Sequence, residues 1–271
     1  MGDLANFLRN ETIVRINKLS IIKETDIKSV DTLRTLSDTK RTFYTLHTRP
    51  LNSIYRRVIE ELLVEMHLLT VNVDFKYDPI YALGVTTVFD TFMQGYQPEK
   101  DKESIFNAIC KAVESDPQQY RQDAERVKSL ADHHSGEAIT AWLCELKSLE
   151  DAGELNEVLK GIKENPRFKY SRLFIIGVYT LLEKANPEIV NDDQKREEIL
   201  ANCCQALNLP KEKVDKDLDL YRSNLEKMEQ ARSVLEDVVR ADRKQRERRE
   251  QQQKDSDSGV ELEKKEENTE V

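Results

Sequence analysis

Between Pro210 and Gly259 the chain contains neither proline nor glycine. The residues that end helices are therefore missing over a stretch far longer than an ordinary globular helix. Within it, apolar residues recur at Val214, Leu218, Tyr221, Leu225, Met228, Leu235 and Val239, with Arg232 the one polar member of the series. Steps of three and four are a heptad seam, so this segment reads as one long helix whose stripe packs on the body or on a partner. The seam then stops. Arg240 to Lys254 hold seven basic and three acidic residues, and Asp255 to Val271 hold seven acidic and two basic ones. The first is expected to be an exposed charged helix and the second a disordered acidic tail, because neither has enough apolar content to bury.

The rest of the chain obeys the same helical period with more punctuation. Charged residues make up 34% of the sequence and hydrophobic ones 38%, with eight glycines and seven prolines. That balance suits amphipathic helices, which bury one stripe and solvate the remainder, better than a sheet protein. Ser37 is the expected N-cap of a first helix that stops near His47, since Arg49 precedes a proline. Pro50 is expected to open the next, with Leu51, Ile54, Tyr55, Val58, Leu62, Met66 and Leu69 on its apolar face. Asp78-Pro79 opens a helix that is apolar nearly all round as far as Gly95, and Asp116-Pro117 opens another. Further periodic stretches run over about 99–114, 117–133, 137–151, 154–164, 168–185 and 192–207. No stretch alternates like a strand. The expected fold is an all-α multi-helix bundle of about nine to ten helices. It divides into a polar N-terminal arm (1–35), a helical domain (36–209), a long coiled-coil-like helix (210–254) and the acidic tail (255–271).

Several function classes are disfavoured. A net charge of -9 opposes general nucleic-acid binding, which needs a basic face. The longest uncharged runs, Pro79 to Phe89 and Leu173 to Leu182, reach about half of the ~20 residues a membrane-spanning helix needs. The N-terminus carries Asp3 and Glu11 and no apolar core, so it does not read as a targeting sequence. Cys110, Cys144, Cys203 and Cys204 form no C-x-x-C pair and are expected to be reduced thiols. Cys203 and Cys204 point about 100° apart on a helix, which opposes a bridge between them.

Nor is there a recognisable catalytic motif. The four histidines (His47, His67, His133, His134) lack the H-E-x-x-H and Glu-x-x-His spacings of zinc and di-iron sites. Phosphate-binding glycine loops and a nucleophile elbow are also missing from the sequence. Glu60 and Glu61 read as a solvated face paired with Arg56 and Arg57 at i,i+4 rather than as paired catalytic carboxylates. His133 and His134 fall where a helix end would let them meet terminal carbonyls. Trp142, Phe89, Phe92, Phe174 and Tyr179 read as core. The expectation is a protein that is not an enzyme and uses no cofactor or metal.

Three blocks are too particular to be generic. The first runs from Thr39-Lys40-Arg41 through His47-Thr48-Arg49-Pro50, Asn52-Ser53-Ile54-Tyr55-Arg56-Arg57 and Glu60-Glu61-Leu62-Leu63-Val64-Glu65. It continues through Asn72-Val73-Asp74-Phe75 and Asp78-Pro79 to Phe92-Met93-Gln94-Gly95-Tyr96. The second is Phe168-Lys169-Tyr170-Ser171-Arg172, and the third runs from Asp217-Leu218 to Lys227-Met228. Together, over about residues 36 to 240, they closely resemble the thylakoid-formation (photosystem II biogenesis) family of cyanobacteria and plastids. The resemblance implies a helical accessory protein at the cytoplasmic or stromal face of the thylakoid; with no spanning run and no targeting sequence among its residues, it is expected to be peripheral to the membrane and without a transit peptide. It implies a part in photosystem II assembly and repair, with the thylakoid FtsH protease complex and photosystem II assembly components as partners. On that footing the candidate partner-binding residues are Arg56 and Arg57 on the second helix, and Leu218, Tyr221, Leu225, Met228, Leu235 and Val239 on the seam. Arg243, Lys244, Arg246, Arg248 and Arg249 form a basic extension that also suits anionic lipid headgroups. Arg49 is expected to cap the carbonyls of the helix before it.

Overall fold

In the computed structural model the backbone is described for residues 34–188 and 192–267, and the side chains of the last helix only in part beyond residue 234. The described residues form ten helices and no strand. They are α1 (Leu36–Leu46), α2 (Ser53–Thr70), α3 (Pro79–Phe92), α4 (Asp101–Ala112), α5 (Pro117–His133), α6 (Gly136–Glu145), α7 (Glu154–Glu164), α8 (Arg172–Ala185), α9 (Asp193–Ala206) and α10 (Lys211–Glu267). Most starts follow local chemistry. Asp78, Asp116, Ser135, Ser171 and Asp192 each turn a side-chain oxygen onto a free N–H of the first turn.

Two starts differ from expectation. α1 is capped by Thr35, not Ser37, because Thr35 and Asp38 satisfy each other's backbone N–H groups in a capping box. α2 begins at Ser53 with Asn52 as its cap, leaving Pro50 outside the helix. Arg49 does not cap carbonyls either. It is drawn instead to the buried Asp101 carboxylate at the start of α4, which would otherwise lie uncompensated.

α3 and α8 are the centre of the bundle. Every residue from Pro79 to Thr86 is buried, as is every one from Leu173 to Tyr179, so these helices have neighbours on all sides. They cross backbone to backbone. A Cβ on Gly84 would lie 1.7 Å from the Leu173 carbonyl oxygen, and one on Gly177 would lie 2.0 Å from that of Ile80. Only glycine permits that approach. α5 covers α3 on another side, where Tyr77 just ahead of α3 donates to Asp123 at 2.8 Å. α4 packs against α1, and α6 packs against α8 and α9. Trp142, Phe89, Phe92, Phe174 and Tyr179 are all buried, as their spacing predicts.

α6 and α9 lie against each other and set Cys144 beside Cys203 in a disulfide, which corrects the expectation of four reduced thiols. Cys203 and Cys204 diverge as helical neighbours must, so only Cys203 reaches α6. Cys204 stays a free buried thiol, and burial pushes it up to about 11. Cys110 is likewise free and buried.

At about 1.5 Å per residue, α10 is about 85 Å long and only its first part touches the bundle. Val214, Leu218 and Tyr221 are buried, and Leu225 and Met228 are half-buried against the core. Tyr221 meets Phe92 edge-on with ring centroids 6.0 Å apart. Arg232 lies over Gly95 and donates to Gln94 at 3.3 Å. The heptad seam is therefore taken up by the protein's own body as far as Arg232. Past it, Ser233 and Val234 are exposed, Val234 to 64%. The backbone stays helical beyond the expected boundary at Lys254 as far as Glu267, since no proline intervenes and Gly259 alone costs only about 1 kcal/mol. The expected N-terminal arm lies outside the described residues apart from Arg34 and Thr35.

The glycine crossing makes a direct prediction. Gly84→Ala or Gly177→Ala should cost about 3 kcal/mol or more, because backbone rather than a side-chain tip must move. Gly161→Ala, in α7 with nothing near its added methyl, should stabilise by about 0.5–1 kcal/mol. Urea unfolding of the three variants checks both signs.

Candidate interaction groove

α2 buries Tyr55, Ile59, Leu62, Leu63, Met66 and Leu69 in the core. Its opposite face forms one wall of an open cleft of about 1040 Å³, where Arg56, Arg57, Glu60, Glu61, Val64 and Leu68 look outward. The other wall is the first turns of α10, with Lys213 and Asp217, and the floor is the turn Lys169–Ser171 leading into Arg172 of α8. A second recess of about 380 Å³ continues along α10, floored by Phe92, Leu173 and Ile176 and edged by Met228. Arg57, Glu61, Glu65 and Arg172 line both, so the two spaces adjoin along these side chains. The three sequence blocks that carry the family resemblance thus meet in one place.

A hydrogen-bonded charge network joins these walls. Arg172 contacts Glu65 at 2.5 Å where the glutamate side chain is only 19% exposed. Burial pushes the Glu65 carboxyl above its usual range, and Arg172 works against that shift. The Tyr170 hydroxyl donates to Asp217 at 2.8 Å, and burial followed by that bond raises the phenol. Lys213 sits over the Tyr170 ring at 4.9 Å. Ser171 caps α8 through the Phe174 N–H at 3.1 Å. Glu60 is held by the Tyr44 hydroxyl at 2.7 Å and by Lys40 at 3.4 Å, and the Tyr44 bond lowers its carboxyl most.

The predicted site residues separate into groups. Arg57 pairs with Glu61 at 2.8 Å, as its i,i+4 spacing implies. Arg56 does not pair with Glu60, because Tyr44 and Lys40 already occupy that carboxylate; its guanidinium reaches the Leu51 carbonyl at 3.4 Å instead. Leu218 and Tyr221 are buried against the body, and Leu225 and Met228 are half-buried against it. Arg243, Lys244 and Arg248 are exposed on the far part of α10, with Arg243 paired to Glu247 at 2.9 Å. Leu235, Val239, Arg246 and Arg249 fall outside the described side chains. Lys169, Tyr170, Arg172 and Lys213 were not singled out as site residues; their signal is the second block and its neighbour in α10, which no local motif connects.

Among the described residues no group of three or more His, Cys, Asp or Glu is placed to hold a metal ion, and no helix is long and apolar enough to cross a membrane. His133 donates from Nδ1 to the Ser129 carbonyl, 2.7 Å away, as a helix-end histidine should. His67 bonds Thr39 at 2.9 Å in the core.

The described residues thus define an all-helical protein with a mixed-charge cleft beside a long C-terminal helix. The family model for thylakoid formation protein matches residues 35–250. Protein Thf1 of Trichormus variabilis is 60% identical over 223 residues, covering 82% of this chain and 96% of that protein. Protein Thf1 of Acaryochloris marina is 52% identical over 218 residues, covering 80% of this chain and 88% of that one. A solved structure of Psb29 is 46% identical with a TM-score of 0.67, covering 79% of this chain and 98% of that chain. The chain belongs to the thylakoid formation protein family.

The two ion pairs of α2 should behave differently on truncation. Glu65→Ala leaves Arg172 partly buried without its carboxylate and should cost about 1–3 kcal/mol. Glu61→Ala, at an exposed pair, should cost less than about 0.5 kcal/mol. Chemical denaturation of both variants measures the gap.

Proposed function

We propose that the chain is a non-enzymatic accessory protein of photosynthetic membrane biogenesis. In this reading it acts in photosystem II assembly and repair by binding and stabilising the thylakoid FtsH protease. It works at the cytoplasmic or stromal face of the thylakoid, peripheral to the membrane. Family membership supports the setting. The observation that carries the mode of action is α10, which is anchored by Val214, Leu218 and Tyr221 and then leaves the body past Arg232. A helix held at one end and solvated beyond it costs little further ordering when a partner docks.

The exposed cations of that helix favour a second reading. Arg240 to Lys254 carry a net +4, from seven basic and three acidic residues, and Arg243 is 80% exposed. Each such charge is worth about 1 kcal/mol near an anionic lipid surface. One experiment separates the two readings. Tagged full-length protein and a form ending at Arg240 are used to capture partners from gently solubilised thylakoids. FtsH enriched only with the full-length form is the expected result. Enrichment with both would move the docking site to the body. Enrichment with neither, alongside salt-sensitive vesicle binding by the full-length form alone, would favour the lipid reading.

A further inference from the structure

The cleft between α2 and α10 is unevenly balanced in charge. Its four carboxylates are all engaged within the protein: Glu60 by Tyr44 and Lys40, Glu61 by Arg57, Glu65 by Arg172 and Asp217 by Tyr170. Three of its cations have no carboxylate partner among the described residues. Arg56 bonds the Leu51 carbonyl and acts on Glu60 only at longer range, Lys169 is exposed with no ion pair, and Lys213 rests on the face of a ring. The lining holds six cations and four carboxylates, while the chain as a whole carries -9. This is a local basic site on an acidic protein. Beside the cations, Val64 and Leu68 present apolar surface, with Leu68 58% exposed.

We propose that this cleft is a docking site for an acidic amphipathic segment of a partner protein. Carboxylates of that segment would bind Arg56, Lys169 and Lys213, and its apolar side chains would lie on Val64 and Leu68. The cations stand on three different elements around a concave floor, so a flat bilayer cannot meet all of them at once. A cleft of about 1040 Å³ is at the upper limit of small-ligand pockets, about 300–1,000 Å³, and is open along its length, which suits a helix laid in a groove. The inference rests on reading the chain as an interaction protein, but not on α10 beyond Arg232 being the FtsH contact.

The test uses the full chain and a labelled amphipathic peptide of about five helical turns, with Leu on one face and Glu on the other. A Lys-for-Glu copy is the control. Fluorescence anisotropy should show the Glu peptide binding, more weakly at raised salt. Arg56→Glu, Lys169→Glu and Lys213→Glu together should weaken it at least about tenfold, equivalent to 1.4 kcal/mol. Leu68→Ser, at an exposed site, should weaken it too. Reversing Lys111, Lys163 and Lys216, which are exposed and outside the cleft, makes the same change in net charge and should weaken it far less. Equal loss in both triple variants, or equal binding of the Lys peptide, overturns the proposal. So does self-association of the chain that the cleft variant abolishes, which would assign the cleft to a second copy. Binding of anionic vesicles through these three cations in place of the peptide overturns it as well. FtsH capture through α10 probes a different surface, so either idea fails without the other.

Discussion

The contact between Gly84 of α3 and the Leu173 carbonyl, mirrored by Gly177 of α8 and the Ile80 carbonyl, sets the spacing of everything around it. Helices with ordinary side chains at their crossing lie about 8–10 Å apart, and here neither helix has a side chain at the crossing point. The close approach brings Ile80, Leu83, Phe174 and Ile176 into one dense core. It also fixes where α8 begins. Ser171 and Arg172 emerge beside α2 because Leu173 is pinned against α3. The cleft, its Glu65–Arg172 pair and the seat of α10 on Phe92 all follow from that one crossing.

Much of this fold was legible in the residues. The Asp-Pro pairs at 78–79 and 116–117 mark the starts of α3 and α5 because an aspartate cap and a first-turn proline each do a job only a helix start requires. The span of α7 matches its period from end to end. What differed was decided by one local competition and two contacts distant in sequence. Ser37 gave way to Thr35 through a reciprocal cap, and Arg49 was claimed by Asp101. Cys144 and Cys203 are 59 residues apart, and nothing in either neighbourhood announces the other.

The site was legible only in part, for a similar reason. Helical spacing alone suggests that Arg56 and Glu60 should pair, but spacing does not show that α1 brings Tyr44 and Lys40 to the same carboxylate. Arg56 is left exposed as a result. The seam of α10 was readable as a stripe, while the choice between body and partner depended on where the bundle ends. That limit falls at Arg232, where Gln94 and Gly95 close the edge of the core. An anchored half and a protruding half therefore share one uninterrupted helix, and the cleft opens beside the anchored half.

The central claim is this division of α10, and amide hydrogen exchange on the full-length protein tests it most directly. Amides from Val214 to Met228 should exchange nearly as slowly as those of α3 and α8, because opening them requires the core to open. Amides beyond Arg232 should exchange orders of magnitude faster, at rates set by local fraying of an unsupported helix. Uniform slow exchange along the whole of α10 would contradict the account, since the far half would then be packed against something. Uniform fast exchange would contradict it equally, by showing that Val214, Leu218 and Tyr221 do not hold the helix to the body.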